Sequence, residues 1–205
     1  MPSMSKPQPT PGFSCSASID SVTKNPMKIL AFGGSTSSKS INRQLANYAA
    51  RLVPGSEVTE LDLRTYKLQI YSSDEEETSG IPDDARAFLD SIRAHDAIVV
   101  SLAEHNGAYS AAFKNLYDWT SRIEQKLWSE KPMLLMATSP GGRGGATVLA
   151  TALATFPRMG ADVRASFSLP SFYDHFSPET GITDPGLATT FKEAVQSFSE
   201  NLGVR

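Results

Sequence analysis

The chain has 205 residues, is 40% hydrophobic and carries a net charge of −3, which suits one domain with a substantial core. Its basic residues are scattered rather than gathered into a nucleic-acid face, and no apolar run is long enough to span a bilayer. The single cysteine, Cys15, excludes an intramolecular disulfide framework and a cysteine-rich metal site.

Residues 1–26 are rich in Pro and Ser, lack periodicity and lack the continuous apolar core of a secretory signal. They are expected to be a disordered extension ahead of one domain over residues 27–205. From Met27 the pattern alternates. Residues 28–33 form a short apolar run that predicts a strand, and Ile41, Leu45, Tyr48, Ala49 and Leu52 follow at helical spacing up to Pro54-Gly55. Residues 57–63 alternate as a half-buried strand does. A long connection over 64–81 carries Asp74, Glu75, Glu76 and Glu77, expected to be a solvated acidic loop. Pro82 opens a helix with Ala85, Phe88, Leu89 and Ile92 on one face. Residues 96–103 read as a buried strand, and Phe113, Leu116, Thr120, Ile123 and Leu127 outline the third helix. Residues 132–138 form another buried strand. A helix carrying Leu149, Ala152, Leu153, Phe156 and Met159 runs to Gly160, 162–170 form a fifth strand, and Leu187, Phe191, Val195, Phe198 and Leu202 stripe the last helix.

Five strands alternating with five helices, two of the strands apolar throughout, predict an α/β sandwich of three layers around a parallel sheet. The flavodoxin-like strand order 2-1-3-4-5 fits this length, and ligands in such sheets bind outside the carboxyl ends of the strands, near the switch between strands 1 and 3. The three most unusual loops follow strands 1, 3 and 4, and that order brings them together.

The first loop, GGSTSSKSIN (33–42), opens a helix and carries five hydroxyls, at Ser35, Thr36, Ser37, Ser38 and Ser40, with Lys39 as its one cation of the loop proper. One helix cap needs one hydroxyl, so the excess points to an anion, held by hydroxyls and by the free N–H groups of the helix start. Two phosphates compete for it. Gly33, four residues and Ser38-Lys39-Ser40 approach a nucleotide-triphosphate loop, but serine stands where glycine is needed, and no apolar strand ends in Asp to hold magnesium; Glu104 is the nearest carboxylate. The alternative is a flavin phosphate. Asn42 either fixes the loop or reaches the ligand.

The second loop holds Glu104, His105, Asn106 and Gly107, which suit a wall for a planar ligand better than an acid–base pair, since no nucleophile accompanies them. The third, SPGGRGG, sets Gly141, Gly142, Gly144 and Gly145 around Arg143, so backbone N–H groups can approach a ligand closely. Tyr173, Asp174 and His175 follow strand 5 and offer a lid at most. Trp119 and Trp128 are expected in the core or at a subunit contact.

Taken in order, these loops resemble the motifs of the NAD(P)H-dependent FMN reductases, flavodoxin-like enzymes that reduce flavins, quinones, azo dyes and chromate. The likeness covers about residues 27–203: GSTSSKSIN with Ser35, Ser40 and Asn42; AEHNGAYSAAFKNLYDW with Glu104, Asn106, Gly107, Lys114, Asn115, Asp118 and Trp119; and SPGGRGG with Ser139, Gly141, Gly144 and Gly145. It departs where Ser37 replaces a common arginine, and where Ala103 and His105 replace proline and tyrosine. The resemblance implies bound FMN, NADPH or NADH as hydride donor, a small-molecule acceptor, a homodimer or homotetramer, and a cytoplasmic setting. It implies cofactor contacts from Ser35, Ser37, Lys39, Ser40, Ile41 and Asn42; from Glu104, His105, Asn106 and Gly107; and from Ser139, Pro140, Gly141, Gly142, Arg143, Gly144 and Gly145. No catalytic acid, base or metal ligand is expected, because the flavin carries the chemistry. A non-enzymatic flavin carrier of the same fold and a phosphotransferase are the other readings.

Overall fold

The computed structural model describes residues 25–200 and Leu202. The Pro- and Ser-rich stretch, up to residue 24, lies outside them. In chain order the elements are β1 (Met27–Gly34), α1 (Ile41–Arg51), β2 (Ser56–Leu61), α2 (Ser73–Ser79), α3 (Asp83–Arg93), β3 (Ala97–Leu102), β4 (Glu104–His105), β5 (Ala108–Tyr109), α4 (Ala111–Ile123), β6 (Lys131–Thr138), α5 (Ala146–Thr155), β7 (Ala161–Leu169), α6 (Phe172–His175), β8 (Phe176–Ser177), β9 (Gly181–Ile182) and α7 (Pro185–Glu200).

The main sheet runs β2-β1-β3-β6-β7, and every pairing in it is parallel. Counting only its own strands, this is the expected flavodoxin-like order 2-1-3-4-5. The reason is visible strand by strand. β3 is buried at every position and β6 at all but Lys131, so both need helices on both faces. Side-chain alternation does the sorting. Ile29, Ala31, Val99 and Leu134 face a layer formed by α1 and α7, with Leu45, Phe191 and Phe198. Leu30, Phe32, Val100 and Leu135 face the layer of α3, α4 and α5, with Phe88, Phe113 and Phe156.

Four elements differ from the pattern-based reading, each for a local reason. β2 stops at Leu61 because the Asp62 carboxylate accepts the N–H of Arg64 and turns the chain. The acidic connection is not a loop throughout: Ser72 caps α2 by accepting the Glu75 N–H, and Asp74, Glu75 and Glu76 lie in the first turn, where the helix dipole favours them. α4 ends at Ile123, so Leu127 and Trp128 pack beyond the helix rather than on it. α5 ends at Thr155, and a 3-10 turn over Phe156–Met159 follows, with Pro157 unable to continue an α-helix. Trp119 and Trp128 are both fully buried, as core residues. Trp119 donates its ring N–H to the Gln69 carbonyl at 2.8 Å. Neither therefore offers an exposed ring to a partner subunit.

Candidate functional site

The carboxyl ends of β1, β3 and β6 open into a cavity of about 180 Å³. It is lined by Ser35, Ser37, Lys39, Ser40, Ile41 and Asn42 from the first loop, by Ala103, Glu104 and His105 from the second, by Thr138, Ser139 and Pro140 from the third, and by Tyr173. A larger groove of about 490 Å³ lies elsewhere, where Pro26, Met27, Pro54 and Glu200 meet, and among the described residues no lysine or arginine lines it. Size therefore does not choose between them; chemistry does.

The first loop is folded by its own hydroxyls. Ser35 Oγ accepts the Ser37 N–H at 3.1 Å, Ser37 Oγ accepts the Lys39 N–H at 3.3 Å, and Ser40 caps α1 by accepting the Arg43 N–H at 3.1 Å. Ser40, Ile41 and Asn42 at this helix start line the cavity, and a helix N-terminus leaves its first N–H groups without partners inside the helix. Gly33 lets this happen: a Cβ there would sit 2.4 Å from the Arg43 nitrogen, so only glycine allows α1 to begin so close to β1. Arg43 itself turns away. It donates to the Ser38 carbonyl at 2.7 Å and pairs with Asp62 at 3.2 Å. The Asp62 carboxyl is held down to about 2, chiefly by hydrogen bonds from Arg64, with Arg43 adding charge attraction. Lys39 is the one lysine or arginine lining the cavity, and it makes no ion pair among the described residues.

Asn42 is buried, and its side chain fixes the loop. Its carbonyl oxygen accepts the Ser101 hydroxyl at 2.7 Å and the Thr138 N–H at 3.0 Å, while its amide donates to the Thr138 carbonyl at 3.1 Å. Thr138 in turn donates its hydroxyl to the Leu169 carbonyl at 2.7 Å. One belt thus ties α1 to β3, β6 and β7 under the cavity floor.

The second loop is a tight hairpin of β4 and β5. Asn106 and Gly107 both take positive φ, 53° and 77°, as a two-residue hairpin turn demands. The Asn-Gly pair was the available signal. Neither residue lines the cavity; they shape the turn that presents Glu104 and His105. The Glu104 carboxylate accepts the Val148 N–H at 3.0 Å in the first turn of α5 and lies 3.9 Å from the Arg143 guanidinium. One of its two oxygens is thereby engaged in holding the start of α5.

The third loop divides. Gly144 and Gly145 are buried with positive φ, and a Cβ on Gly144 would lie 2.4 Å from Ser168 Oγ and 2.9 Å from the Leu169 carbonyl carbon. These glycines serve close packing. Gly141 and Gly142 are exposed, and a Cβ on either would meet nothing. Arg143 is exposed and, with the four glycines, lies outside the cavity lining. The loop is anchored from afar, because Gly141 and Ser139 carbonyls accept the N–H groups of Ser171 and Phe172 at 3.0 and 3.1 Å. That docking brings Tyr173 to the cavity. The sequence offers Tyr173 only as a lid and Ala103 only as a departure within the second motif; for Thr138 the usable clue is its place at the end of an apolar strand.

A family model for NADPH-dependent FMN reductase matches residues 27–174. The chain belongs to this family. It is 27% identical over 120 residues to a quinone reductase of Escherichia coli, an alignment covering 58% of this chain and 64% of that protein. It is 35% identical over 121 residues to the 2-hydroxy-1,4-benzoquinone reductase of a Burkholderia species, with the same coverage of each. The matches thus span less than two thirds of the length of these relatives. Among solved structures, the NAD(P)H:acceptor oxidoreductase FerB of Paracoccus denitrificans superimposes with a TM-score of 0.67 at 24% identity, over 86% of this chain and 97% of that one, which shows the shared fold. Within this FMN reductase framework all three departures noted in the sequence, Ser37, Ala103 and His105, line the cavity. Among the described residues no three His, Cys, Asp or Glu side chains gather to hold a metal, and no helix is long and apolar enough to cross a membrane.

Proposed function

We propose that the chain is an FMN-dependent NAD(P)H oxidoreductase that delivers electrons to a small acceptor. The observation that carries the reading is the cavity at the β1/β3 switch. It joins residues of all three motifs, and Lys39 stands in it without an ion pair among the described residues. The first-loop hydroxyls, the open N–H groups of α1 and Lys39 suit a phosphate dianion. Ser35, Ser37, Lys39, Ser40, Ile41 and Asn42 form that end of the site. Glu104 and His105, carried on the Asn106-Gly107 turn, wall the ring end. Ser139 and Pro140 line the cavity, the open Gly141 and Gly142 next to them leave room for a ligand larger than the cavity, and Arg143, Gly144 and Gly145 shape the loop behind them. Bound FMN would supply the two-electron chemistry, accepting hydride from NADPH or NADH and passing the electrons on. Quinones are the favoured acceptor class, since the relatives above are named for them; free flavins, azo compounds and metal oxyanions are the other candidates. A homodimer or homotetramer in the cytoplasm is the accompanying expectation.

The purified protein is expected to bind FMN, and anaerobic mixing of the loaded protein with NADPH or NADH is expected to bleach the flavin spectrum. A protein without measurable FMN affinity refutes the reading. FMN binding without bleaching by either donor identifies an electron carrier instead.

A further inference from the structure

We infer that Tyr173 is a specificity-determining residue, whose ring forms the wall against which a planar, carbonyl-bearing acceptor of the quinone class docks. This rests on the FMN reading above. The cavity has a floor and a mouth. Ser40, Asn42 and Thr138, which lie in its floor, are between 1% and 4% exposed, whereas Tyr173 is 71% exposed. The anion-binding groups sit on the first loop, where Ser35 is half-buried and Ser37 and Lys39 are exposed. A volume of about 180 Å³ cannot enclose a phosphate, a sugar chain and a tricyclic ring together, so the ring end and any second ligand meet at the mouth.

Tyr173 is suited to that place. Its backbone is pinned on both sides: Ser171, at φ 46°, donates to the Gly141 carbonyl, Phe172 donates to the Ser139 carbonyl, and the Asp174 N–H donates back to Ser171. Phe172 is buried in the core beneath, its ring edge-on to Tyr173 at 5.6 Å. The ring is thus an exposed aromatic on a rigid base, and its hydroxyl has no partner among the described residues. An aromatic face with a free O–H matches a planar ligand that carries carbonyl oxygens, whereas a compact inorganic oxyanion uses only the O–H.

The test uses the FMN-loaded, oxidised full chain without reductant. Binding of 1,4-naphthoquinone is measured by calorimetry, and FMN affinity by flavin fluorescence, for the natural protein, Tyr173→Phe and Tyr173→Ala. Tyr173→Ala is expected to weaken naphthoquinone roughly tenfold, as loss of one aromatic contact does, with Tyr173→Phe losing about threefold or less. In turnover the same change is expected in KM for the quinone rather than in kcat. Unchanged naphthoquinone affinity in Tyr173→Ala overturns the inference and leaves the FMN reading standing. An FMN affinity that falls as far as the quinone affinity also overturns it, by placing the ring in the cofactor site. Absence of FMN binding in the natural protein overturns both.

Discussion

The first and third loops meet at one cavity but are held in opposite ways. The first is organised by neighbours in sequence: Ser35, Ser37 and Ser40 each accept an N–H two or three residues on. The third is organised by residues 24 to 33 positions away: Ser168 Oγ donates to the Gly144 carbonyl, and Ser171 and Phe172 donate to Gly141 and Ser139. A loop that folds on its own short bonds can spare side chains for a ligand. A loop clamped by distant backbone gains rigidity, and part of its glycine content is spent on packing.

Substitutions sharpen this contrast. Asn42 is the one first-loop side chain whose bonds are long-range, so Asn42→Ala is expected to be the most damaging change, about 3 kcal/mol in denaturant unfolding, because it strands the buried Ser101 hydroxyl and Thr138 N–H. In the third loop Gly144→Ala is expected to lose about 2 to 3 kcal/mol, since its Cβ would meet the backbone of Leu169 and Pro170 at 2.9 Å and its φ is positive. Gly142→Ala, two positions away in open space, should change stability by no more than about 0.5 kcal/mol. Equal losses at the two glycines would break the division of the loop. Glu104→Gln should lower stability by about 1 kcal/mol through the weakened bond to Val148 at the start of α5.

A pH-dependent effect concerns the support behind the first loop. The Asp62 carboxyl sits at about 2 in the folded chain against an ordinary 3.8, so the unfolded chain takes up its proton first as pH falls. Its contribution is therefore complete above about pH 4 and is lost between pH 4 and 2. Asp62→Asn should unfold earlier than the natural protein at pH 6, by less than about 1 kcal/mol for so exposed a network, and the gap should shrink below about pH 4 and close only as the pH falls below about 2. A gap that persists there would assign the effect to packing.

The same contrast explains what could be read from the sequence. The sheet order and the convergence of the loops were legible because hydrophobic runs such as 97–102 and 132–138 report burial directly. The hydroxyl excess of the first loop was legible because its bonds are local. Tyr173 was legible as a lid at most, since the hydrogen bonds from Ser171 and Phe172 to the third loop bring it to the cavity, and no short-range pattern encodes them. Glu104 was legible as a site neighbour and not as a helix clamp, because its partner Val148 is 44 residues on. Two local signals were present and passed over: Ser72-x-x-Glu75 at the start of α2, and Asn106-Gly107 in the hairpin.

The central claim is that the first loop holds a flavin phosphate through neutral donors and Lys39. Comparing FMN with riboflavin, which lacks only the phosphate, tests it most directly, with the natural protein and Lys39→Met titrated side by side by fluorescence quenching. The account predicts FMN to bind at least about a hundredfold tighter than riboflavin, roughly 2.7 kcal/mol, with the gap narrowed in Lys39→Met. Equal affinities for FMN and riboflavin in the natural protein would contradict it.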